Sequence, residues 1–152
     1  MQQWSRDGVR QERTGWRDES ISQRHRQWGF NCPAVDLDFL VVEYNQGLPV
    51  ALVEYKRHTA KVNTVQHPTY RALAELANGY KEPLPFLLAF YWPEIWAFRV
   101  YPMNQIAGEH FAVKEVVSEE QYVSRLYRMR NLVLDKNLSG KLNTVLPECA
   151  AA

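Results

Sequence analysis

The chain has 152 residues, a formal net charge of +1 and two cysteines. A charge so close to zero argues against a protein that coats nucleic acid by bulk electrostatics, and two cysteines are too few for a disulfide framework or a zinc cluster. No apolar run approaches the roughly 18 residues of a membrane span, and no signal peptide is evident. We therefore expect a single cytoplasmic domain over residues 1–152, with its core at about 17–130 and an irregular tail over 131–152.

The first predicted elements are a helix and a hairpin. Residues 17–28 carry apolar side chains at helical spacing, and Gly29 suits the end of that helix. The segment from Pro33 to Lys56 then reads as two strands joined by a tight turn. Both faces of these strands are largely apolar, so we expect the hairpin to be covered on both sides.

The register of the hairpin decides where its charged side chains lie. A three-residue loop over Asn45–Gly47, with Gly47 in the left-handed conformation, makes paired residue numbers sum to 92. Facing residues then share one side of the sheet. A two-residue turn over Gln46–Gly47 would instead scatter the charges over both faces. We favour the first register, which creates three facing pairs: Tyr44 with Leu48, Asp38 with Glu54, and Asp36 with Lys56.

The second half of the chain alternates between helix and strand signals. The predicted elements are a helix from about Pro68 to Gly79, strands over 85–92 and 95–101, a short strand within 110–117, and a helix from Ser118 to about Arg130. The last helix is opened by a capping box over Ser118–Gln121. Helices and strands in this order predict an α/β or α+β domain.

Basic residues are concentrated in two places. Six arginines crowd the first stretch and three lie near the end of the last helix: Arg6, Arg10, Arg13, Arg17, Arg24 and Arg26, then Arg125, Arg128 and Arg130. Such groups are either solvated helix faces or local patches that contact phosphates. The sequence leaves both interpretations open.

The charged residues of the hairpin suggest phosphodiester chemistry. Carboxylates among apolar side chains are costly to bury unless a cation joins them. Asp38 and Glu54, facing each other, provide the hard oxygen ligands that Mg²⁺ prefers, and Mn²⁺ is expected to substitute. Lys56 lies two residues beyond Glu54 and therefore on the same side, where it would orient or deprotonate a water or stabilise the phosphate. Asp36 would extend the carboxylate set towards a second ion.

The pattern Pro33…Asp36-Leu37-Asp38 followed by Glu54-Tyr55-Lys56 resembles the signature of the PD-(D/E)XK nuclease superfamily. This resemblance implies a three-layer restriction-endonuclease-like domain with a mixed central sheet flanked by helices. It implies that Asp38 and Glu54 bind the magnesium and that Lys56 assists the attacking water. The resemblance also makes Glu19, on the first helix, a candidate metal ligand.

Other parts of the family pattern match less completely. Gln66 and Tyr70 have the spacing of a Gln–Tyr pair that follows the lysine in some lambda-type and helicase-associated members, which implies substrate contacts. The family core usually begins with a helix and three strands, yet little sequence is left before Asp36 for a first strand. Whether Asp36 or Asp38 is the principal metal ligand also stays open, although the register favours Asp38.

We therefore expect a magnesium-dependent nuclease acting on DNA, with RNA left open, of a kind suited to phage repair or recombination. Arg24 and His58 join Gln66 and Tyr70 as candidate substrate-binding residues, because His58 follows the strand on the side of Lys56. Cutting a duplex or a junction would imply a homodimer. Two other hypotheses are a nucleic-acid-binding protein that keeps the nuclease scaffold without turnover, and an α+β domain whose hairpin carries a structural ion-pair network.

Overall fold

The computed structural model describes residues 37–43, 46–61 and 65–148, together with positions 20, 24, 26–28 and 31. The chain divides into two compact units, Met1–Val35 and Asp36–Ala152. Glu19 and Asp36, both predicted to bind metal, lie outside the described residues. Their roles therefore stay predictions.

In the first unit, the described positions agree with part of the predicted helix. Ser20, Arg24 and Arg26 are helical, and a turn follows at Gln27 and Trp28. Arg24 Nη1 donates to Gln27 Oε1 at 3.2 Å, an exposed contact within one turn. Such a contact positions the arginine locally and adds little to stability.

The second unit is built around a five-stranded mixed sheet whose strand order follows the chain. The strands are β1 (Phe39–Glu43), β2 (Leu48–Arg57), β3 (Phe86–Trp92), β4 (Ala97–Pro102) and β5 (Glu115–Val117). Only β2 and β3 are parallel among these strands; the other neighbours are antiparallel. Parallel neighbours need a crossover connection, and helix α1 (Pro68–Asn78) provides it. The predicted mixed α/β class is confirmed.

Among the described elements, one helix packs on each face of this sheet, whose successive strand residues point to opposite sides. On the face that we call the α1 face, Leu52 of β2 and Leu88 of β3 pack with Leu73 of α1. On the opposite, α2 face, Val53 packs in a cluster with Tyr122 of helix α2 (Glu119–Met129). The central strands are consequently buried on both sides.

The hairpin register is confirmed where it matters for the site and is wrong near the turn. Phe39 pairs with Val53, so paired numbers sum to 92 as predicted. Beyond Val41 the pairing shifts by one, and Glu43 rather than Tyr44 faces Leu48. Pro49 lies in the irregular stretch and has no amide hydrogen for a regular ladder, which explains a bulge at this position. Gly47 has φ 66°, the left-handed conformation predicted for it.

The expectation that both hairpin strands are covered is wrong for β1. Strand β2 contains fully buried residues, but β1 is an edge strand on which Phe39 is 39% and Leu40 46% exposed. Alternation of apolar residues predicts strands but does not distinguish an edge from the centre of a sheet.

The remaining elements largely follow their local sequence signals. Pro68 starts α1 and Gly79 caps it, while Ser118 and Gln121 form the predicted capping box of α2. The expected strand within 110–117 is confirmed only as β5, since a 3₁₀ turn (Ala107–Glu109) and a loop precede it. None of the helices in the described ranges combines the length and apolar character needed to cross a bilayer.

The tail is more ordered than predicted. Asp135 accepts a hydrogen bond from the backbone of Asn137 and caps a short helix, α3 (Lys136–Ser139). Further on, the Asn143 N–H donates to Glu119 Oε1 at 2.8 Å, at the first turn of α2. The Glu120 N–H in turn donates to the carbonyl oxygen of Asn143 at 3.1 Å. A capping residue and these two long-range bonds therefore order a segment without apolar periodicity.

An ion pair joins α2 to β5. Both terminal nitrogens of Arg125 donate to the carboxylate of Glu115, and the guanidinium carbon lies 4.8 Å from the ring centroid of Phe111. These hydrogen bonds from Arg125 lower the pKa of Glu115 below its ordinary value of 4.5. The pair therefore stabilises the fold above pH 4.5, and this contribution is lost as the pH falls through the lowered pKa.

Glu115→Gln is expected to lower the Tm at neutral pH by about 2–4 °C, because the partly exposed pair contributes on the order of 1 kcal/mol. The difference from the unaltered protein should close as the pH falls below the lowered pKa of Glu115, where the carboxyl is neutral in both the folded and the unfolded state. Thermal unfolding followed by circular dichroism measures it, with the exposed Glu82→Gln as the matched control. A difference that persists unchanged at acid pH would contradict this account.

Candidate functional site

Two carboxylates meet where β1 begins and β2 nears its end. The backbone N–H of Asp38 donates to Glu54 Oε1 at 2.9 Å, and the N–H of Tyr55 donates to Asp38 Oδ2 at 2.9 Å. These reciprocal bonds continue the strand pairing by one step, with side-chain oxygens in the place of carbonyl oxygens. The facing of Asp38 and Glu54 that the register predicted is confirmed.

Glu54 is a buried acid in an apolar surrounding. It is 4% exposed, and Ser118 is the only other polar residue among the buried ones described. Burial raises the pKa of Glu54, and the negative charge of Asp38 and a hydrogen bond between the two carboxyl groups raise it further. The Asp38 N–H and the charge of Lys56 oppose this rise of the pKa without cancelling it. The site therefore disfavours two adjacent negative charges and would be stabilised by a cation.

Lys56 lies on the α1 face, where Tyr70 of α1 approaches it. Burial opposes the charged amine, but a hydrogen bond to the Tyr70 hydroxyl and the charges of Asp38 and Glu54 outweigh this effect and raise the pKa of Lys56. The amine is therefore an ammonium at neutral pH. Tyr70, which the sequence proposed as a substrate contact, is 7% exposed and acts on Lys56 as well as packing in the core.

Tyr55, between the acid and the lysine, points to the other side of the sheet. Its hydroxyl makes a 2.7 Å hydrogen bond with the hydroxyl of Tyr122, and its ring makes an edge contact with Phe39 at 5.3 Å. Burial raises the pKa of both tyrosines. The Tyr55 side chain thus anchors β2 to the α2 layer. Because strand residues alternate in direction, Glu54 and Lys56 then face the α1 layer.

The other predicted site residues are not all brought to this point. Gln66 is exposed in a 3₁₀ turn just before α1, and nothing in the described structure joins it to the carboxylates. His58 lies on the α1 face beyond Lys56, where its ring stacks on Trp92 with the centroids 5.2 Å apart. Arg24 belongs to the first unit.

Sequence reasoning missed the part played by β4. The side chain of Arg99 lies over Trp92, with its guanidinium carbon 5.4 Å from the ring centroid. The sequence pattern predicts the segment 95–101 only as a strand. The available signal was Arg99, the only cationic residue in this segment. Once the strands are paired, its side chain lies on the same face of the sheet as Lys56.

The donor set at Asp38 and Glu54 fits a hard divalent cation. Within the described ranges no group of three or more His, Cys, Asp or Glu side chains gathers, so these ranges provide a two-carboxylate site. Magnesium is commonly held by one or two carboxylates and keeps several waters. Each carboxylate uses one oxygen in the reciprocal bonds with the backbone, and the second oxygen of each is not used by those bonds.

Tyr70→Phe tests the link between α1 and Lys56. Loss of the hydroxyl is expected to lower the pKa of Lys56 and to reduce metal-dependent cleavage by about tenfold, the value of one charge-assisted hydrogen bond. A pH profile of cleavage measures the change. Tyr101→Phe, the same change in the same buried cluster, is the control. Equal losses in both variants would show that Tyr70 acts only through packing.

The site consists of two paired carboxylates, one ammonium and a buried phenol at the end of a mixed sheet. The charged groups belong to β2 and to the residue that precedes β1, while the phenol comes from the crossover helix that follows. Its chemistry therefore has to be inferred from this arrangement. No protein-family model matches the chain, and neither the curated proteins nor the solved structures searched contain a match.

Proposed function

We propose that this protein is a magnesium-dependent nuclease that hydrolyses phosphodiester bonds in DNA. One observation carries the proposal: the carboxylates of Asp38 and Glu54 are paired on the sheet, with the Lys56 ammonium influenced by both. A pair of acids of which one, Glu54, is buried and has a raised pKa is a common feature of sites that bind cations or catalyse reactions.

The order of elements supports a restriction-endonuclease-like domain. Two antiparallel strands are followed by a crossover helix and a strand parallel to the second of them, in β1, β2, α1 and β3. This is the later part of the helix, three strands, helix, strand core that the sequence resemblance implies. The positions of the acids, Asp38 directly before β1 and Glu54 on β2, also agree with that resemblance.

The residues divide the work of hydrolysis between them. When bound, magnesium would neutralise charge on the phosphate and make a coordinated water more acidic. Asp38 and Glu54 would hold the ion, while their bonds to the backbone fix the direction in which their remaining oxygens point. Such preorganised ligands need little rearrangement during the reaction.

Lys56 is suited to orienting the attacking water and stabilising the negative charge that develops on the phosphate. Its raised pKa keeps the amine protonated at neutral pH, so in this state it is a proton donor and not a base. The Tyr70 hydroxyl contributes to this raised pKa of Lys56. An ammonium at this position acts by electrostatic stabilisation.

The second candidate function is nucleic-acid binding without turnover. The observation that favours it is the reciprocal bonding of Asp38 and Glu54, which gives each carboxylate a backbone donor without any metal. A domain whose two carboxylates are hydrogen-bonded in this way, without a metal, would still present Lys56 and neighbouring basic groups to phosphates.

A cleavage assay separates the two functions. Supercoiled plasmid, a single strand, a branched duplex and an RNA strand are incubated with the protein in magnesium or in chelator. A nuclease gives magnesium-dependent products, and the panel identifies the preferred substrate. Nicked plasmid alone indicates one site acting on one strand, whereas linear product without a nicked intermediate supports the proposed homodimer. Binding without products in any of the four substrates would favour the second function.

A further inference from the structure

Trp92 supports two basic side chains on the α1 face. The His58 ring stacks on it with an interplanar angle of 15°, and His58 Nδ1 lies 3.3 Å from the carbonyl oxygen of Tyr91. The Arg99 guanidinium also lies over the ring. Trp92 is only 8% exposed, so it supports these side chains and does not itself offer a surface for stacking a base. The basic groups are thereby ordered before any ligand arrives.

This cluster lies beside the candidate active site in a definite geometry. Lys56 pairs with Phe90 across the parallel strands, and Phe90 pairs with Arg99 across the next pair. Lys56 and Arg99 therefore lie in one row across the sheet and point to the same face, separated by two strand spacings, or about 10 Å. Neighbouring phosphates of one nucleic-acid strand can therefore contact both side chains.

Arg99 is available to an anion. It is partly exposed, and no carboxylate among the described residues pairs with it. A guanidinium that contacts an aromatic ring keeps its N–H donors in the plane free for bidentate binding of a phosphate. Contact with the ring also reduces the conformational entropy that binding would otherwise cost.

We propose that Arg99, supported by Trp92 and assisted by His58, binds a backbone phosphate of the nucleic acid near the scissile phosphate. This inference rests on the proposed function, since it places the substrate strand between Arg99 and the candidate metal site at Asp38 and Glu54. The competing explanation is that Arg99 only packs on Trp92, a contact that stabilises proteins by about 0.5–2 kcal/mol.

The test is binding of a short fluorescein-labelled single strand and its duplex, measured by fluorescence anisotropy in chelator, where no metal-dependent cleavage occurs. Arg99→Met keeps an unbranched chain over Trp92 but removes the charge. We expect its Kd to rise about tenfold and the slope of log Kd against log salt to fall by about 0.7 for the single strand. Arg128→Met, the same change at an exposed position of α2, should bind as the unaltered protein does.

The Tm of each variant separates binding from folding. Should Arg99→Met lose structure, Arg99→Lys, which keeps the charge, must fold and retain most of the salt slope. Normal binding by a folded Arg99→Met, an equal loss in Arg128→Met, or no binding by the unaltered protein would overturn the inference. Magnesium-dependent cleavage with normal binding by Arg99→Met would refute the phosphate site alone. Arg99-dependent binding without any cleavage would refute the nuclease proposal alone.

Discussion

Lys56→Met is expected to reduce magnesium-dependent cleavage on the order of 10³-fold, the scale of losing one preorganised electrostatic group in an active site. The substitution keeps an unbranched side chain beside Tyr70. It removes the positive charge that Asp38 and Glu54 attract. With the ammonium absent, the water and the developing phosphate charge lose this positive partner. Initial rates under excess magnesium measure the effect.

Lys81→Met is the matched control for this substitution. Lys81 is exposed in the loop after α1, so the same change in charge and shape should leave cleavage unaltered. The Tm of Lys56→Met should fall slightly, because the two carboxylates lose a favourable charge. Full activity in a folded Lys56→Met would place the cleavage at another site or in a contaminating nuclease.

Glu54→Gln is expected to stop cleavage and, at the same time, to raise the Tm of the metal-free protein by about 2–4 °C at neutral pH. Burial and the charge of Asp38 raise the pKa of Glu54 in the folded state, so ionised Glu54 opposes folding. Glutamine keeps an oxygen to accept from the Asp38 N–H while removing the negative charge.

The pH dependence of this effect has a definite sign. A raised folded pKa means that Glu54 favours folding below its ordinary value of 4.5, and that this advantage is lost as the pH rises through the raised value. The stabilisation by Glu54→Gln should therefore be absent at acid pH and appear as the pH rises. Thermal unfolding in chelator at several pH values measures it, with the exposed Glu75→Gln as control.

Magnesium should make the unaltered protein more stable than Glu54→Gln, the reverse of their order in the metal-free state. The unaltered protein is expected to gain Tm when magnesium is added, since a ligand that binds only the folded state stabilises it. Glu54→Gln should gain little, because it lacks one of the two carboxylates. A metal-free Glu54→Gln that is less stable at neutral pH, together with no magnesium response in the unaltered protein, would contradict the proposed metal site.

Much of the candidate site followed from local sequence rules. Alternation along a strand places Glu54 and Lys56 on one side, and Gly47 indicates the turn that brings Asp38 opposite Glu54. These rules depend on neighbours within a few residues of one another. The predicted register at the acids is correct even though the turn is one residue longer than expected. The bulge after Val41 adds a residue to β2 and so returns the paired numbers to a sum of 92.

The contribution of Tyr70 could only be half foreseen. Its spacing from Gln66 suggests a substrate contact through the family resemblance, but no local pattern indicates that its hydroxyl raises the pKa of Lys56. That effect depends on how α1 crosses the sheet on its way from β2 to β3. The packing of Leu73 and Ala77 against the strands sets the position of this helix.

The amino-acid sequence by itself determined the strands, the helix caps and the face on which the acids and the lysine lie, because each depends on local spacing. Only the tertiary structure decided that β3 lies parallel to β2, that β1 is an exposed edge, and that Arg99 reaches the row of Lys56. Pairing between distant strands is selected by the packing of the whole core, which no local pattern encodes.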